Sequence, residues 1–153
     1  MSGTYSKIYL HLVFSVKGRE NLINPEWQDE IYKYIAGIIH NKGQKSIIVN
    51  GFSDHIHCLI GIKPSILISD LVRDIKNNSS KFINTKGFVK GKFQWQEGYG
   101  IFSHSESQID KVYNYILNQN EHHRTKTFKE EYIELLSKFQ IDFKTEFLFE
   151  WIE

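Results

Sequence analysis

The order of hydrophobic and polar positions divides the chain into strand-like and helix-like segments. Residues Lys7 to Val16 alternate with a period of two, a pattern typical of a β-strand. One side of that strand would carry Ile8, Leu10, Leu12, Phe14 and Val16, and the other Tyr9, His11, Val13 and Ser15. Two runs rich in β-branched residues, Ser46 to Asn50 and His55 to Ile62, are separated by a four-residue connection, Gly51-Phe52-Ser53-Asp54, with turn-forming chemistry. They predict a pair of antiparallel strands.

The remaining apolar positions mostly recur with the spacing of an α-helix. Four helices are predicted, with approximate ranges Asn24–Lys42, Pro64–Ile83, Ser105–Asn120 and Phe128–Phe139. Aromatic residues interrupted by glycines from Trp95 to Phe102 favour a fourth strand. The tail from Phe143 to Trp151 is expected to be a short strand or a docked extension.

This order of elements predicts an α+β protein of the ferredoxin-like (RRM-like) type. An antiparallel sheet would carry two crossover helices on one face, and additional C-terminal helices would follow. We expect the other sheet face to be free. With 153 residues, 41% of them hydrophobic, the chain is expected to fold as a single domain spanning 1–153.

Strand alternation makes His55 and His57 the first candidates for chemistry. Both would project from one face, while Ile56 and Cys58 would face the apolar side. Two imidazoles at this spacing can share a metal ion on a rigid element, with His11 as a supporting residue behind them. A pair of exposed histidines can also arise by chance. A metallo-hydrolase would need further His and Asp ligands soon after the pair, and the residues from Leu59 to Pro64 offer none. A structural zinc site would need about four ligands, and the one cysteine is expected to pack on the apolar side.

The segment from Ser105 to Asn120 carries a candidate nucleophile. Its apolar stripe is expected to run through Ile109, Val112, Tyr113, Ile116 and Asn120. Tyr115 and Gln119 lie four residues apart outside that stripe, so the hydroxyl and the amide would emerge together. Taken alone, without the histidine pair, Tyr115 would more often be an ordinary surface tyrosine.

These residues can be combined into one reaction. A tyrosine hydroxyl is a slow nucleophile because its pKa lies near 10, but a divalent cation can polarise a phosphate and stabilise the transition state. Two imidazoles and an amide oxygen are neutral ligands and would leave the cation its full charge. A covalent phosphotyrosine would conserve the broken bond for rejoining, whereas a water nucleophile would only hydrolyse it.

Charge is unevenly distributed although the net charge is only +1. The segment from Arg73 to Lys92 has six basic residues and one acid, whereas Phe128 to Glu153 has three basic and seven acidic residues. The first segment can attract phosphate. Solvated charged faces are an equally good interpretation of such runs.

Three motifs together resemble the single-tyrosine HUH transposases of the TnpA type, which include IS200-like and REP-associated members. The motifs are Asp54-His55-Ile56-His57, Trp95-Gln96-Glu97-Gly98-Tyr99-Gly100-Ile101-Phe102-Ser103 and Val112-Tyr113-Asn114-Tyr115-Ile116-Leu117-Asn118-Gln119. The resemblance implies that Tyr115 becomes linked to a 5′-phosphate, and that His55 and His57 bind the metal with Gln119 as third ligand. It implies Mg²⁺ or Mn²⁺, although two imidazoles alone would favour zinc or manganese.

The resemblance also implies the partners of the protein, and the composition indicates its location. The expected substrate is single-stranded DNA with hairpin ends, held in part by a basic region that contains Arg73, Lys76, Lys81, Lys90 and Lys92. Ser79, Ser80 and His104 are weaker candidates. A homodimer with active sites shared between subunits is expected. The single cysteine, and the lack of a signal-like or membrane-spanning apolar run, favour a soluble cytoplasmic protein.

Two other functions are compatible with the sequence. A ferredoxin-like module could hold single-stranded nucleic acid on an open sheet without cutting it. A host-adopted relative could process scattered palindromic repeats instead of mobilising an element, and genomic sequence bounded by hairpin-forming ends would argue against that alternative.

Overall fold

The structure, a computed structural model, describes residues 3–152 and has a four-stranded antiparallel sheet with strand order β2-β3-β1-β4. The strands are β1 (Ile8–Ser15), β2 (Lys45–Phe52), β3 (His55–Ile62) and β4 (Gly100–His104). The α-helices are α1 (Gln28–Asn41), α2 (Ile68–Lys86), α3 (Ile109–Leu117), α4 (Gln119–His122) and α5 (Phe128–Lys138). The connection β1-α1-β2-β3-α2-β4 confirms the ferredoxin-like α+β prediction.

The main core lies between one face of the sheet and the first two helices. The alternation predicted for β1 holds, because Leu12 and Phe14 lie in this core with no exposed surface. Phe14 pairs with Ile56 and Leu12 with Cys58 on the neighbouring strand β3, so these side chains stack on the same face. Each such buried aliphatic or aromatic side chain contributes about 1.5–3 kcal/mol.

The opposite face of the sheet is covered, so the expectation of a free face was wrong. Val13 and Phe102 on this face pack with Phe128 of α5, and Leu59 packs with Ile116 of α3. These strand residues are apolar, and leaving them in water would cost free energy that the C-terminal helices recover. The two histidines of β3 therefore lie beneath helices.

The β2–β3 hairpin is tighter than predicted. Strand β2 continues to Phe52, which leaves Ser53 and Asp54 as a two-residue turn. The backbone carbonyl of Asp54 accepts hydrogen bonds from the Val16 amide at 3.0 Å and from the Ser15 hydroxyl at 2.8 Å. This anchoring fixes the turn directly before His55.

Other element boundaries also differ from the predictions. Strand β4 begins at Gly100, since Gly98 has a positive φ of 82° that ends extended pairing, and Trp95 forms only an isolated bridge to Val16. Helix α2 begins at Ile68 and not at Pro64. The single helix predicted from Ser105 is divided at Asn118, whose backbone (φ −95°, ψ 28°) leaves the helical region.

The C-terminal tail after α5 docks on the body of the protein. Its only regular element in the described range is a short 3₁₀ turn at Thr145–Phe147. The Glu150 amide donates to the Gln96 side chain at 2.6 Å, and Phe149 is buried beside Tyr132. The docked extension was one of the two predicted alternatives.

Candidate metal centre and nucleophile

His55 and His57 project side by side from β3 into the layer between the sheet and the C-terminal helices. Both side chains are fully buried, and their ring centroids are 5.0 Å apart. Ile56 and Cys58, as predicted, point to the other face. His55 is further held by stacking on Phe128, with 4.0 Å between ring centroids and 8° between planes. The predicted pair is therefore rigid but not exposed.

Gln119 and Tyr115 reach the same layer from the other side. Gln119 is the first residue of α4 and is buried, with its Oε1 atom 3.0 Å from His55 Nε2. The Tyr115 ring lies 6.0 Å from the His57 ring, and its surface is only partly exposed. The structure thus brings together the four residues that the sequence singled out for chemistry.

The predicted orientation of Tyr113 was wrong. Tyr113 is 37% exposed and does not face the core, and Asn120 is exposed as well. The inward stripe of α3 is formed by Val112 and Ile116, which pack on Leu59. Because α3 is short, these two residues fix its rotation, and Tyr115 turns towards the histidines.

Glu131 is the most important residue that the sequence reasoning missed. It lies on α5, is 2% exposed, and places Oε1 3.2 Å from the Nε2 atoms of both His55 and His57. Its Oε2 accepts hydrogen bonds from the Gln119 amide at 3.0 Å and from the Tyr115 hydroxyl. One feature of the sequence could have indicated this role. Glu131 follows Phe128 by three residues and precedes Leu135 by four, so it is an acidic residue on the apolar face of a helix.

Two further histidines surround this group. His11 Nε2 lies 2.7 Å from His57 Nδ1, which agrees with the supporting position expected for His11. His123 follows α4, and its Nε2 lies 3.2 Å from Glu131 Oε1 and 3.1 Å from Gln119 Oε1. His123 was not singled out from the sequence, because its place depends on the turn between α4 and α5.

The buried environment changes the proton affinity of these groups. Burial alone lowers the pKa of His55, but hydrogen bonds to Asp54 and Glu131 outweigh it and raise that pKa to about 9. Burial lowers the pKa of His57, which Glu131 only partly offsets. Burial would raise the pKa of Glu131, yet the charge of His57 and hydrogen bonds from the histidines hold it well below its usual range. Glu131 is therefore a carboxylate.

The chemistry of this donor set fits a divalent cation. His55, His57 and Glu131 each offer one ligand atom, and these three atoms lie within 4.8 Å of one another. The His55 Nδ1 atom contacts the Asp54 carboxylate at 2.7 Å, and a carboxylate only accepts, so Nδ1 carries the hydrogen. The Nε2 atom then faces Glu131, and the raised pKa keeps a proton on this nitrogen, which donates to the carboxylate. A divalent cation bound there would take the place of that proton.

Three of the five predicted DNA-binding residues lie together in one groove of the structure. Lys76, Lys81 and Lys92 line a groove of about 970 Å³ together with Lys17, which the sequence reasoning missed. The groove also contains the acidic residues Glu97, Glu146 and Glu150. The Lys76 ammonium already donates two hydrogen bonds within the protein, to the backbone carbonyls of Gln96 at 2.6 Å and Gly98 at 2.9 Å.

Arg73 and Lys90 do not line this groove. Arg73 pairs with Asp70 at 3.1 Å and with Asp74 at 3.6 Å, and Lys90 lies in the exposed loop after α2. Of the weaker candidates, Ser79 is buried and accepts a hydrogen bond from the Trp95 indole at 2.9 Å, and Ser80 donates to the Asn77 carbonyl. His104 lies with its ring 6.0 Å from that of His11.

Comparison with known proteins identifies the family. A family model described as "Transposase IS200 like" matches residues 4–119, and the chain belongs to this family. It is therefore a DNA-processing enzyme of the transposase class. The matched range contains the paired histidines, Tyr115 and Gln119, whereas His123 and Glu131 lie beyond it.

One relative agrees with this assignment, and a solved structure shares the fold. The chain is 25% identical over 124 residues to the ISDra2 transposase TnpA of Deinococcus radiodurans, an alignment that covers 78% of this chain and 89% of the relative. A crystal structure of a candidate transposase from Deinococcus radiodurans R1 has 24% identity and a TM-score of 0.62, covering 78% of this chain and 95% of that one.

A more distant similarity concerns the fold alone. The structure of a REP-associated tyrosine transposase bound to a REP hairpin has 15% identity and a TM-score of 0.59, covering 80% of this chain and 73% of that one. Among residues 3–152, none of the helices is both long and apolar enough to cross a membrane.

Proposed function

We propose that this protein is a divalent-metal-dependent transposase that cleaves and rejoins single-stranded DNA through a 5′-phosphotyrosine on Tyr115. The observation that carries the proposal is the contact of the Tyr115 hydroxyl with Glu131, whose other oxygen faces His55 and His57 at 3.2 Å. A nucleophile and a set of metal ligands thus share one carboxylate. Family membership supports the same reaction class.

His55, His57 and Glu131 would hold the metal, with Gln119 as a further oxygen donor. The carboxylate changes the expectation of an all-neutral ligand set, since one negative charge now balances half of the cation. The bound metal, which we take to be Mg²⁺ or Mn²⁺, would polarise the scissile phosphate and stabilise charge in the transition state. Asp54 and His11 would orient the two imidazoles through their Nδ1 atoms.

In the proposed reaction Tyr115 is the nucleophile, and Glu131 accepts the proton of its hydroxyl. The Tyr115 oxygen attacks phosphorus, the bond between phosphorus and O3′ breaks, and the 3′ oxygen leaves with the electron pair and takes up a proton. Burial and the charge of Glu131 raise the pKa of Tyr115, so the hydroxyl is protonated at rest. Glu131 is the acceptor already in contact with the proton that must leave. Attack of another 3′ hydroxyl on the phosphotyrosine rejoins the strand.

The DNA would approach along the basic groove that contains Lys17, Lys76, Lys81 and Lys92. Ammonium groups there would contact phosphates and make affinity salt-dependent. The expectation of a homodimer with shared sites stays a prediction.

A non-catalytic binding module is less well supported. Such a module would use the open face of the sheet, and α3 and α5 cover that face. A host-adopted relative that processes palindromic repeats would use the same chemistry, and only its DNA substrate would differ.

The test is the formation of a covalent protein–DNA adduct. The probe is a pool of 3′-labelled single-stranded hairpin oligonucleotides taken from DNA that flanks the gene, incubated with Mn²⁺ or Mg²⁺ and resolved under denaturing conditions. Because the 5′-phosphate side stays on the protein, the label should migrate with it. Tyr115→Phe should abolish the adduct, and the exposed Tyr113→Phe control should keep it. An undiminished adduct in Tyr115→Phe or in chelator would refute the mechanism.

A further inference from the structure

A second groove opens beside the candidate metal centre, and four segments of the chain line it. They are the β2–β3 turn with the end of β2, the loop between α4 and α5, the first turn of α5 and the end of the C-terminal tail. We call it the α5 groove, and its lining includes Phe52, Lys129 and Trp151. Its volume of about 400 Å³ lies within the range of sites that hold small organic molecules.

The α5 groove adjoins the His55 end of the histidine pair. His55 stacks on Phe128, with 4.0 Å between ring centroids, and meets the His123 ring edge-on at 4.6 Å. Phe128 and His123 both line the groove. Tyr115 lies at the other histidine, where its ring is 6.0 Å from that of His57. The candidate nucleophile and the groove are therefore at opposite ends of the pair.

This placement determines which nucleotide can enter the groove. In phosphoryl transfer, the attacking and leaving oxygens lie roughly in line on opposite sides of phosphorus. When the Tyr115 oxygen attacks, the bond from phosphorus to O3′ breaks. O3′ leaves with the electron pair and takes up one proton, which balances the proton lost by Tyr115. The nucleotide that carries O3′ therefore extends away from Tyr115, past His55 and towards the α5 groove.

The aromatic walls of the groove suit an unpaired base. Phe52 and Trp151 are both partly exposed. Trp151 meets the Phe128 ring at 72° with 5.7 Å between centroids, and Phe52 stacks on His123 at 5.1 Å, so both rings are held in place. Stacking on such rings is a general way to hold single-stranded DNA, because every base has a π face.

Most charged side chains of the groove are already paired within the protein. The pairs are Asp54 with His55 at 2.7 Å, Glu130 with Thr127 at 3.1 Å, Arg124 with Glu121 at 3.2 Å and Lys126 with Glu134 at 2.5 Å. Of the lysines and arginines that line this groove within residues 3–152, only Lys129 is outside these pairs. Its ammonium is therefore the cation best able to bind a phosphate there.

We propose, building on the proposed function, that the α5 groove binds the nucleotide immediately 5′ of the scissile phosphate, with its base against Phe52 and Trp151 and its own 5′-phosphate at Lys129. After cleavage this nucleotide ends in a free 3′ hydroxyl and is no longer bonded to the strand on Tyr115. The groove keeps that end beside the phosphotyrosine for rejoining, and it makes the base at this position a determinant of cleavage specificity.

The first test measures binding of the cleaved strand without turnover. Adducts formed with the hairpin pool map the cleavage site, and the probe is the single-stranded oligonucleotide that ends there in a 3′ hydroxyl. Its affinity is measured by fluorescence anisotropy over a series of KCl concentrations. Lys129→Ala should weaken binding and reduce the slope of log affinity against log salt by about 0.7, the value for one phosphate contact of a single strand. Lys138→Ala, at the other end of α5, is the matched control and should leave the slope unchanged.

Trp151 provides a test of base stacking with the same probe. Trp151→Ala should weaken binding by at least about fivefold, and Trp151→Phe, which keeps an aromatic ring, should restore most of it. A probe that lacks its last base should bind equally to Trp151→Ala and to the unaltered protein, a result that a merely structural role of Trp151 would not produce. Thermal unfolding verifies that the variants are folded.

Photocrosslinking determines on which side of the break the groove lies. 5-Iodouracil is placed directly 5′ or directly 3′ of the mapped site in an uncut probe bound to Tyr115→Phe protein. We expect the 5′ position to crosslink to Phe52 or Trp151. A crosslink to them from the 3′ position alone, or an unchanged salt slope in Lys129→Ala, would overturn this inference and leave the phosphotyrosine chemistry intact. If the unaltered protein forms no adduct, the proposed function fails and this inference fails with it.

Discussion

Gly51 lies where β2 passes closest to the strand that carries the histidines. It pairs with Ile56 in the β2–β3 ladder, and a Cβ atom built on it would lie 2.2 Å from the carbonyl oxygen of His55 and 3.1 Å from the Ile56 Cα. An ordinary carbon–oxygen contact is about 3.3 Å. Gly51→Ala therefore requires a displacement of roughly 1 Å, and the obstacle is backbone on a central strand.

The expected cost of Gly51→Ala is at the upper end of the usual range for overpacking, about 2–3 kcal/mol. For a protein of this size, that loss corresponds to a decrease in Tm of roughly 5–10 °C. The displacement falls on the backbone of His55, so Mn²⁺ affinity should decrease in the same variant. Urea and thermal unfolding, followed by metal titration of the folded protein, measure both effects.

Gly37 provides the matched control for the same substitution. It lies inside helix α1, and a Cβ atom built on it would meet nothing within 4 Å. Alanine is a better helix former than glycine, so Gly37→Ala should stabilise the protein by about 0.5–1 kcal/mol and leave metal affinity unchanged. Unfolding of Gly51→Ala at the same urea concentration as the unaltered protein, or a shift of both variants in the same direction, would refute the steric clash at Gly51.

Three further predictions follow from individual contacts. The Thr127 hydroxyl accepts a hydrogen bond from the Glu130 backbone amide at 3.2 Å at the start of α5. Thr127→Ala removes this cap and should lower the free energy of unfolding by about 1 kcal/mol, measured in urea. An unchanged midpoint of the urea transition would argue against the cap. Cys58 is fully buried, and burial raises the pKa of its thiol. A thiol reagent should therefore modify Cys58 only as fast as the protein unfolds. Rapid modification of the folded protein would contradict this packing. An equal mixture of Tyr115→Phe and His57→Ala proteins should form no adduct if the tyrosine acts in its own chain, whereas recovery of about a quarter of the adduct would support sites shared between subunits.

The fold could be predicted because its signals are local. Alternation in β1 and β3 assigned both faces of the sheet, and the structure has β3 at the predicted bounds, His55 to Ile62. The order of strands and helices then admits few topologies. Boundaries were less accurate where a single residue decides them, as Gly98 does before β4 and Asn118 does between α3 and α4.

The candidate site was only half predictable, because half of it depends on long-range packing. His55 and His57 share a strand and Tyr115 and Gln119 nearly share a helix, so periodicity could relate the members of each pair. Glu131 joins them only because α5 folds back over the sheet, and no local spacing relates it to β3. The prediction that Tyr113 faces the core was wrong for the same reason, because the packing of Val112 and Ile116 on Leu59 fixes the rotation of α3.

The central claim is that Tyr115 forms the covalent bond to DNA. Its most direct test is mass spectrometry of the purified adduct after digestion with protease and nuclease, which identifies the residue that carries the nucleotide. Tyr115 and Tyr113 lie two residues apart, but only the Tyr115 hydroxyl contacts Glu131 at the histidine cluster, whereas Tyr113 is exposed. We predict a 5′-phosphonucleotide on Tyr115 alone. A nucleotide on Tyr113, or on any residue outside α3, would contradict the account.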